Sequence, residues 1–403
     1  MKKIIAIFGG GPAGMMAAEV LSKYHDVHIY EKEKAVGQKF LVAGTGGFNI
    51  TNSLTGQALA EKYTPSNFLA PALSGYGSEA VRKWLDEMGI PTYVGSSGRV
   101  FPAKEFTPAA ILKIWKLKLT KLGVNIHIKS EFSGFDDNMS TIIKQGRQKL
   151  AVEADYYIFA MGGASWPVTG STGKWINEFG KAGFETVPFQ SSNCGVLVSW
   201  PDSFTEHHAG KPLKNLSVSA HGISQKGEAL ITTYGLEGNA VYPVIPGLRK
   251  QLAENKPAFV QLDFKPFNSE EQLLQKLNGK TQFTTKKYAE IFNLDPTQLA
   301  LIKTFTSKET FLSPQLFVKA IKQLEVPVSA LRPVEEAIST VGGLSINELN
   351  PDFSFRKNNR FYAAGEMIDW DAPTGGFLLQ ACFTMGYSIG KSILAREKSI
   401  LEK

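Results

Sequence analysis

Cysteine is nearly absent from this sequence of 403 residues: Cys194 and Cys382 stand alone, far apart, and form no C-x-x-C pair. That excludes a dithiol redox motif and a cysteine zinc site, and it suits a reducing compartment. Histidine is almost as scarce. His207 and His208 are the one adjacent pair, with no acidic partner at ligand spacing, so no metal centre is expected. Long apolar runs are also missing, and nothing approaches the ~20 residues of a membrane-spanning helix. The opening MKKIIAIFGGG sets two lysines before an apolar stretch, but Ile4 to Phe8 is shorter than the apolar region of a secretory signal. A soluble, cytoplasmic protein without membrane contact is the expectation.

A chain of this length exceeds one ordinary core, so two or three domains are expected. The net charge is +7, mostly from lysine. Lys113, Lys116, Lys118 and Lys121 crowd AILKIWKLKLTKLG, where apolar residues recur at helical spacing. This reads as a solvated helix face, with an anion or RNA patch as the alternative. Basic residues elsewhere are scattered and lack interleaved aromatics, so nucleic acid is not the expected partner.

The richest stretch is KKIIAIFGGGPAGMMAAEVLSKYHDVHIYEKE, which reads as strand, tight turn, helix, strand. The unbroken apolar run Lys3 to Phe8 suits the middle of a parallel sheet. Gly9, Gly11 and Gly14 fit G-x-G-x-x-G: the first allows the turn, the second lets backbone approach a pyrophosphate, and the third packs helix on strand. The helix beginning at Pro12 and Ala13 then points unpaired N–H groups at that pyrophosphate. VHIYEK ends a second strand at Glu31, followed by Lys32, at the spacing where a carboxylate accepts hydrogen bonds from ribose hydroxyls. A second glycine-rich segment follows, GQKFLVAGTGGFNITNS, from Gly37 to Ser53. Gly44, Gly46, Gly47, Asn49, Thr51 and Asn52 imply a long, polar ligand extending beyond the first pyrophosphate. FAD is such a ligand.

These motifs resemble the BaiN-like, or aminoacetone-oxidase-type, family of bacterial FAD-binding oxidoreductases. The resemblance rests on Gly9 to Gly14, on Gly37-Gln38-Lys39-Phe40, and on Asn49-Ile50-Thr51-Asn52. It continues through SSGRVFP (96–102), AMGGASWP (160–167), SNCG (192–195), RPVEEAISTVGG (332–343) and GEMIDWDAPTGGFLLQACF near the end. Gln38 stands where many relatives carry arginine. The resemblance implies a Rossmann-like α/β fold with non-covalent FAD, and an uncharacterised branch of the family.

VEADYYIFAMGG reads as a strand returning to the dinucleotide, with Gly162 and Gly163 letting backbone pass close to the cofactor. VNIHIKSEFSGF and STIIKQGRQKLAVEA read together as a small meander of short strands. From Asn193 strand-like pieces separated by Gly, Pro and Lys suggest an antiparallel unit. After Pro266 helices take over, with Ser269 and Gln272 spaced as a capping box and caps followed by proline at Asp295-Pro296 and Ser313-Pro314. The expected organisation is a discontinuous FAD-binding domain (1–190 and 333–403), a β-barrel-like antiparallel insertion (191–266) and a small helical insertion (267–332).

RFYAAGE resembles the flavoprotein strand whose last acidic residue bonds the ribityl or phosphate region, which places Gly365 and Glu366 at the cofactor. Apolar residues from Phe377 to Leu394 recur at helical spacing. Thr374 is the expected cap, and Gly375, Gly376 and Phe377 would present the helix N-terminus to the flavin's pyrimidine edge. Asp369 and Asp371 would shape the loop or face substrate. The expected activity is oxidoreduction of an unidentified small molecule, with NAD(P)H left open as a transient donor, because no second G-x-G-x-x-G marks a nicotinamide domain. RNA modification and flavin binding without turnover are the alternatives. Arg99, Asn193, Cys194, Tyr234, Glu237 and Tyr242 are candidate substrate-lining residues at a pocket between the flavin and the insertion. No catalytic acid or base is assigned, and the oligomeric state is open.

Overall fold

A computed structural model describes residues 2–43, 47–279 and 283–401, apart from the side chains of 399–401. It divides into two compact units, residues 1–190 with 338–403, and residues 191–337.

The first unit is built on a five-stranded parallel sheet. Its strands are β1 (Ile4–Phe8), β2 (Asp26–Glu31), β3 (Asn125–Ile128), β4 (Tyr156–Phe159) and β5 (Phe361–Ala363), in the spatial order β5-β4-β1-β2-β3. The first strand is central, and Ile5, Ala6, Ile7 and Phe8 are all buried, as an unbroken apolar strand requires. Phe8 lies in register with Tyr30 on one side and Phe159 on the other. A three-stranded antiparallel sheet (Ser130–Phe135, Thr141–Gln145, Gln148–Val152) sets Phe132 against Phe8 and Phe135 against Phe159.

VNIHIKSEFSGF is therefore not one meander. Asn125–Ile128 extends the parallel sheet at its edge, and only the residues after Lys129 join the antiparallel one. Lys129 has φ 54°, a left-handed conformation that breaks the run between them.

The C-terminal helix is longer than its apolar periodicity suggests, running from Phe377 to Leu401. It lies along the first helix, Pro12–Leu21, in nearly bare backbone contact. A Cβ at Gly386 would stand 2.3 Å from the Ala13 carbonyl oxygen, and one at Gly390 would stand 2.6 Å from a Val20 methyl. Contacts advance together along both chains, so the two helices run parallel. Gly365, with φ +81°, completes the close packing: its Cβ would lie 3.1 Å from that of Ala13.

Among its described residues the second unit contains a seven-stranded antiparallel sheet and five helices between Glu270 and Lys322. The caps at Ser269, Asp295 and Ser313 form as their sequences imply, the first two as full capping boxes. Strand Leu324–Val328, which follows the helices, pairs with Ala258–Asp263, which precedes them. The helical run is thus an excursion between two neighbouring strands, and its Tyr288 and Phe317 belong to the same buried cluster as Val260 and Val326. Sheet and helices form one unit here, and it closes at Ala337 where the sequence suggests residue 332.

Candidate cofactor site

At the end of β1 the three-glycine turn separates into two kinds of position. A Cβ on Gly9 (φ +106°) would meet the Ala160 carbonyl oxygen at 2.3 Å, and one on Gly14 would meet the Gly9 oxygen at 2.1 Å. Both glycines are required by the protein's own packing. Gly11 differs. It is the N-cap of the first helix, has an ordinary φ of −79°, and a Cβ there would meet nothing within 4 Å. The first-turn N–H groups of that helix, from Ala13 onward because Pro12 has none, receive no side-chain cap. An anion is the natural occupant of such a terminus.

Glu31 closes one side of this cradle. Its Oε2 accepts the Gly10 N–H at 2.8 Å and its Oε1 accepts the Glu33 N–H at 2.9 Å. Burial pushes its pKa above the ordinary value, against the pull of these two N–H groups. Glu31 therefore clamps the glycine loop, a role that spacing alone does not reveal. Lys32 turns to Thr172 Oγ1 at 3.0 Å, and Gln38 Nε2 turns back to the Ala35 carbonyl at 3.4 Å.

A second polar centre forms where four distant segments meet. Lys39, in the short helix Gln38–Val42, places its Nζ 2.7 Å from Glu366 Oε2, 2.8 Å from Ser165 Oγ and 3.3 Å from Ser171 Oγ. Glu366 Oε1 accepts the Thr340 N–H at 2.9 Å. Gly163 permits the approach, since a Cβ there would stand 2.1 Å from Thr340 Oγ1. The Gly162 carbonyl accepts from Trp175 Nε1 at 2.9 Å. Sequence reasoning reached Lys39, Gly162 and Glu366 but not Ser165, Ser171 and Thr340. Ser165 and Thr340 lie inside the motifs AMGGASWP and RPVEEAISTVGG, the only signal that marked them. Cys382 lies near this centre, and burial, reinforced by the Glu366 charge, pushes its thiol up to about 12.

The third element is the Gly375-Gly376 turn. Strand Thr51–Asn52 pairs antiparallel with Arg99–Pro102, Asn52 standing opposite Arg99. Asn52 Nδ2 donates to the Gly375 carbonyl at 3.4 Å, and Thr51 Oγ1 donates to Gln380 Oε1 at 2.5 Å. The helical ladder opens with the Gln380 N–H donating to the Gly376 carbonyl, so Gly376 takes the cap position expected of Thr374. Its lack of a side chain has a specific cause: a Cβ would lie 2.4 Å from the Thr51 oxygen. Tyr63 donates its hydroxyl to the Phe377 carbonyl at 3.0 Å. Asp369 and Asp371 accept the N–H groups of Gly342 and Ala372 and so shape the loop. Gly47 (φ +115°) and Asn49, whose N–H donates to the Gly47 carbonyl, follow the short helix of Lys39. Gly44 and Gly46 lie outside the described residues.

Of the substrate-lining candidates, Arg99 belongs to the first unit and the rest to the second. There the Tyr234 hydroxyl donates to the Glu237 carboxylate, and Arg332 lies over the Tyr234 ring, 3.9 Å from its centroid. Burial, followed by the Glu237 charge, pushes both Tyr234 and Tyr242 up to about 12. Asn193 is buried in a left-handed conformation (φ 46°), and Cys194 is buried beside it. His208 Nδ1 lies 3.0 Å from Thr297 Oγ1, and among the described residues no group of three or more His, Cys, Asp or Glu could hold a metal ion. The lysine-rich helix Pro108–Lys121 exposes Lys113 and Lys121, but Lys118 pairs with the buried Glu19 at 2.7 Å. No helix among the described residues is long and apolar enough to cross a membrane.

The family described as HI0933-like protein Rossmann domain matches residues 3–392. A 3-dehydro-bile acid delta(4,6)-reductase of Clostridium scindens is 23% identical over 418 residues, spanning 97% of this chain and 99% of that protein. A ribosomal RNA dihydrouridine synthase of Haemophilus influenzae is also 23% identical, spanning 96% of this chain and 97% of its own. Among solved structures, a 3-ketosteroid delta1-dehydrogenase of Sterolibacterium denitrificans, in complex with 1,4-androstadiene-3,17-dione, aligns over 98% of this chain and 100% of its own. Its TM-score is 0.52 at 13% identity, a likeness of fold.

Proposed function

Because this chain belongs to the HI0933-like family of FAD-binding Rossmann-domain oxidoreductases, we propose that it is an FAD-dependent reductase of a carbon–carbon double bond conjugated to a carbonyl group. Bound FAD supplies hydride transfer, and the chain's residues bind, orient and tune it. The first-helix amides at Gly11 hold the pyrophosphate, Glu31 the adenosine ribose, and the Lys39–Glu366 centre the ribityl and phosphate region. The N-terminus of the C-terminal helix, at Gly375-Gly376, faces the pyrimidine edge of the ring. The observation that carries the FAD reading is the open space before Gly11, beside glycines that the protein's own atoms close.

The two near full-length relatives narrow the reaction. One name denotes reduction of 4,6-unsaturation beside a 3-oxo group, the other saturation of a uracil ring next to its carbonyl. Both are reductions of a double bond polarised by a carbonyl. A small cyclic enone is the first substrate class. A uridine in ribosomal RNA is the second reading, favoured by the Haemophilus relative and by the +7 net charge. NADH or NADPH serves as the transient electron donor.

The test is anaerobic reduction of FAD-loaded protein by NADH and NADPH separately, then reoxidation by cyclic enones or by ribosomal RNA. Reoxidation by an enone with one equivalent of saturated ketone formed supports the first reading. Dihydrouridine formation with salt-sensitive RNA binding moves the assignment to the second. Reduced protein that neither acceptor reoxidises overturns both.

A further inference from the structure

The geometry points to Arg99 as the residue that sets the charge at the flavin's pyrimidine edge, an assignment resting on the FAD reading above. Arg99 begins a strand whose register partner is Asn52, and Asn52 is tied to the Gly375 carbonyl. The adjacent Thr51 backbone sits against Gly376. Together these contacts hold the strand to the turn that opens the C-terminal helix. They bring Arg99 Nε to 3.7 Å from the point where a side chain on Gly375 would begin.

The guanidinium is partly buried, and among the described residues it has neither a carboxylate partner nor a hydrogen bond. Other arginines of this chain are engaged: Arg396 with Asp352, Arg332 with Glu336, Arg360 with the carbonyls of residues 154 and 155. A partly desolvated cation with no counter-charge is unfavourable, and an arriving anion relieves it. Two-electron reduction of a flavin places negative charge on its N1–C2=O edge. A helix N-terminus offers about half a charge there, whereas Arg99 adds a full one, delocalised over a planar donor fork. Arg99 thereby favours the reduced, anionic cofactor over the oxidised, neutral one.

Sulfite addition tests this without turnover. Sulfite bonds through sulfur to flavin N5, and the displaced electron pair comes to rest at N1–C2=O, so adduct stability reports the charge held there. Wild type, R99Q and R99K are compared at saturating FAD, by sulfite titration and by the two-electron midpoint potential. R99Q is expected to bind sulfite at least tenfold more weakly and to lower the potential by the same factor, about 30 mV for a two-electron couple. R99K, which keeps the charge, is expected to restore most of both. If wild type forms no adduct, the potential alone decides. An R99Q potential equal to that of wild type overturns the assignment. A wild-type protein that takes up no FAD overturns the underlying reading instead.

Discussion

Lys39 and Glu366 meet at 2.7 Å although 327 positions separate them in the chain. The pair is mostly shielded, with side-chain exposures of 27% and 14%, so each charge depends on the other and on the Ser165, Ser171 and Thr340 groups around them. K39M and E366Q should each weaken FAD binding by about 1–3 kcal/mol, the cost of leaving a shielded polar partner unsatisfied. The double variant should lose less than the sum, by a coupling of about 0.5–3 kcal/mol. Flavin-fluorescence titration of the apoprotein measures all three. Strict additivity would mean that the two residues do not act together on the cofactor.

The glycine turn gives a sharper separation. Gly11→Ala should leave apoprotein stability unchanged, since its methyl enters open space, while FAD affinity falls by more than about tenfold (about 1.4 kcal/mol). Gly14→Ala should do the reverse at first order, lowering the melting temperature because its methyl would stand 2.1 Å from the Gly9 carbonyl oxygen and 3.1 Å from an Ile7 methyl. Thermal melts of the apoproteins and FAD titrations suffice. Wild-type affinity in Gly11→Ala would remove the pyrophosphate from this position.

Cys382 should be chemically silent. The thiolate is the reactive form, and with the thiol pushed up to about 12 it stays protonated across the working range. Iodoacetamide at pH 8 should leave Cys382 unmodified in native protein and alkylate it in denaturant, as peptide mass analysis would report. Rapid native modification would show that the thiol is accessible and ionised.

Asp352 fastens the C-terminal helix. Its carboxylate accepts from Ser354 Oγ at 2.6 Å, Ser392 Oγ at 2.7 Å and Arg396 Nη2 at 2.7 Å. Burial works against the charge, but these hydrogen bonds and the arginine hold the pKa below the ordinary 3.8. A carboxyl group more acidic in the folded state contributes stability that is fully present above pH 3.8 and is lost as pH falls through its folded value. Asp352→Asn should therefore cost about 1–3 kcal/mol at pH 7, with the gap to wild type narrowing below pH 3.8. Urea unfolding at pH 7 and in steps below 4 reads it. A gap independent of pH would assign the loss to shape, not charge.

Local chemistry carried the legible part of this structure. The strand–glycine–helix–strand opening follows from a short apolar run, three glycines and one acidic residue, all within about one supersecondary motif. The helix caps of the second unit were equally readable, because a Ser, Thr or Asp cap acts on residues two or three positions away. What escaped depended on contact between distant segments. Ser165 and Thr340 become partners of Lys39 and Glu366 only when four segments converge. Gly376 looked like a residue kept small for a ligand, whereas the Thr51 backbone already requires it. Asn125–Ile128 and Ser130–Phe135 have similar alternating patterns, and only the left-handed Lys129 sends them to different sheets. The helices after Ser269 read as a separate piece because nothing local announces that Leu324–Val328 returns to pair with Ala258–Asp263.

The parallel contact between the first and C-terminal helices acts as a ruler. Gly386 rests on Ala13, one residue into the first helix but nine residues into the other, so the two N-termini are staggered by roughly 12 Å at 1.5 Å per residue. That offset is written into backbone packing, where glycine allows no slack, and no loop can lengthen or shorten it. On the proposed reading, two positive poles at a fixed separation select ligands by length, with one anionic group at the first pole and an electron-accepting ring at the second. A dinucleotide spans such a gap, while a mononucleotide reaches only one end.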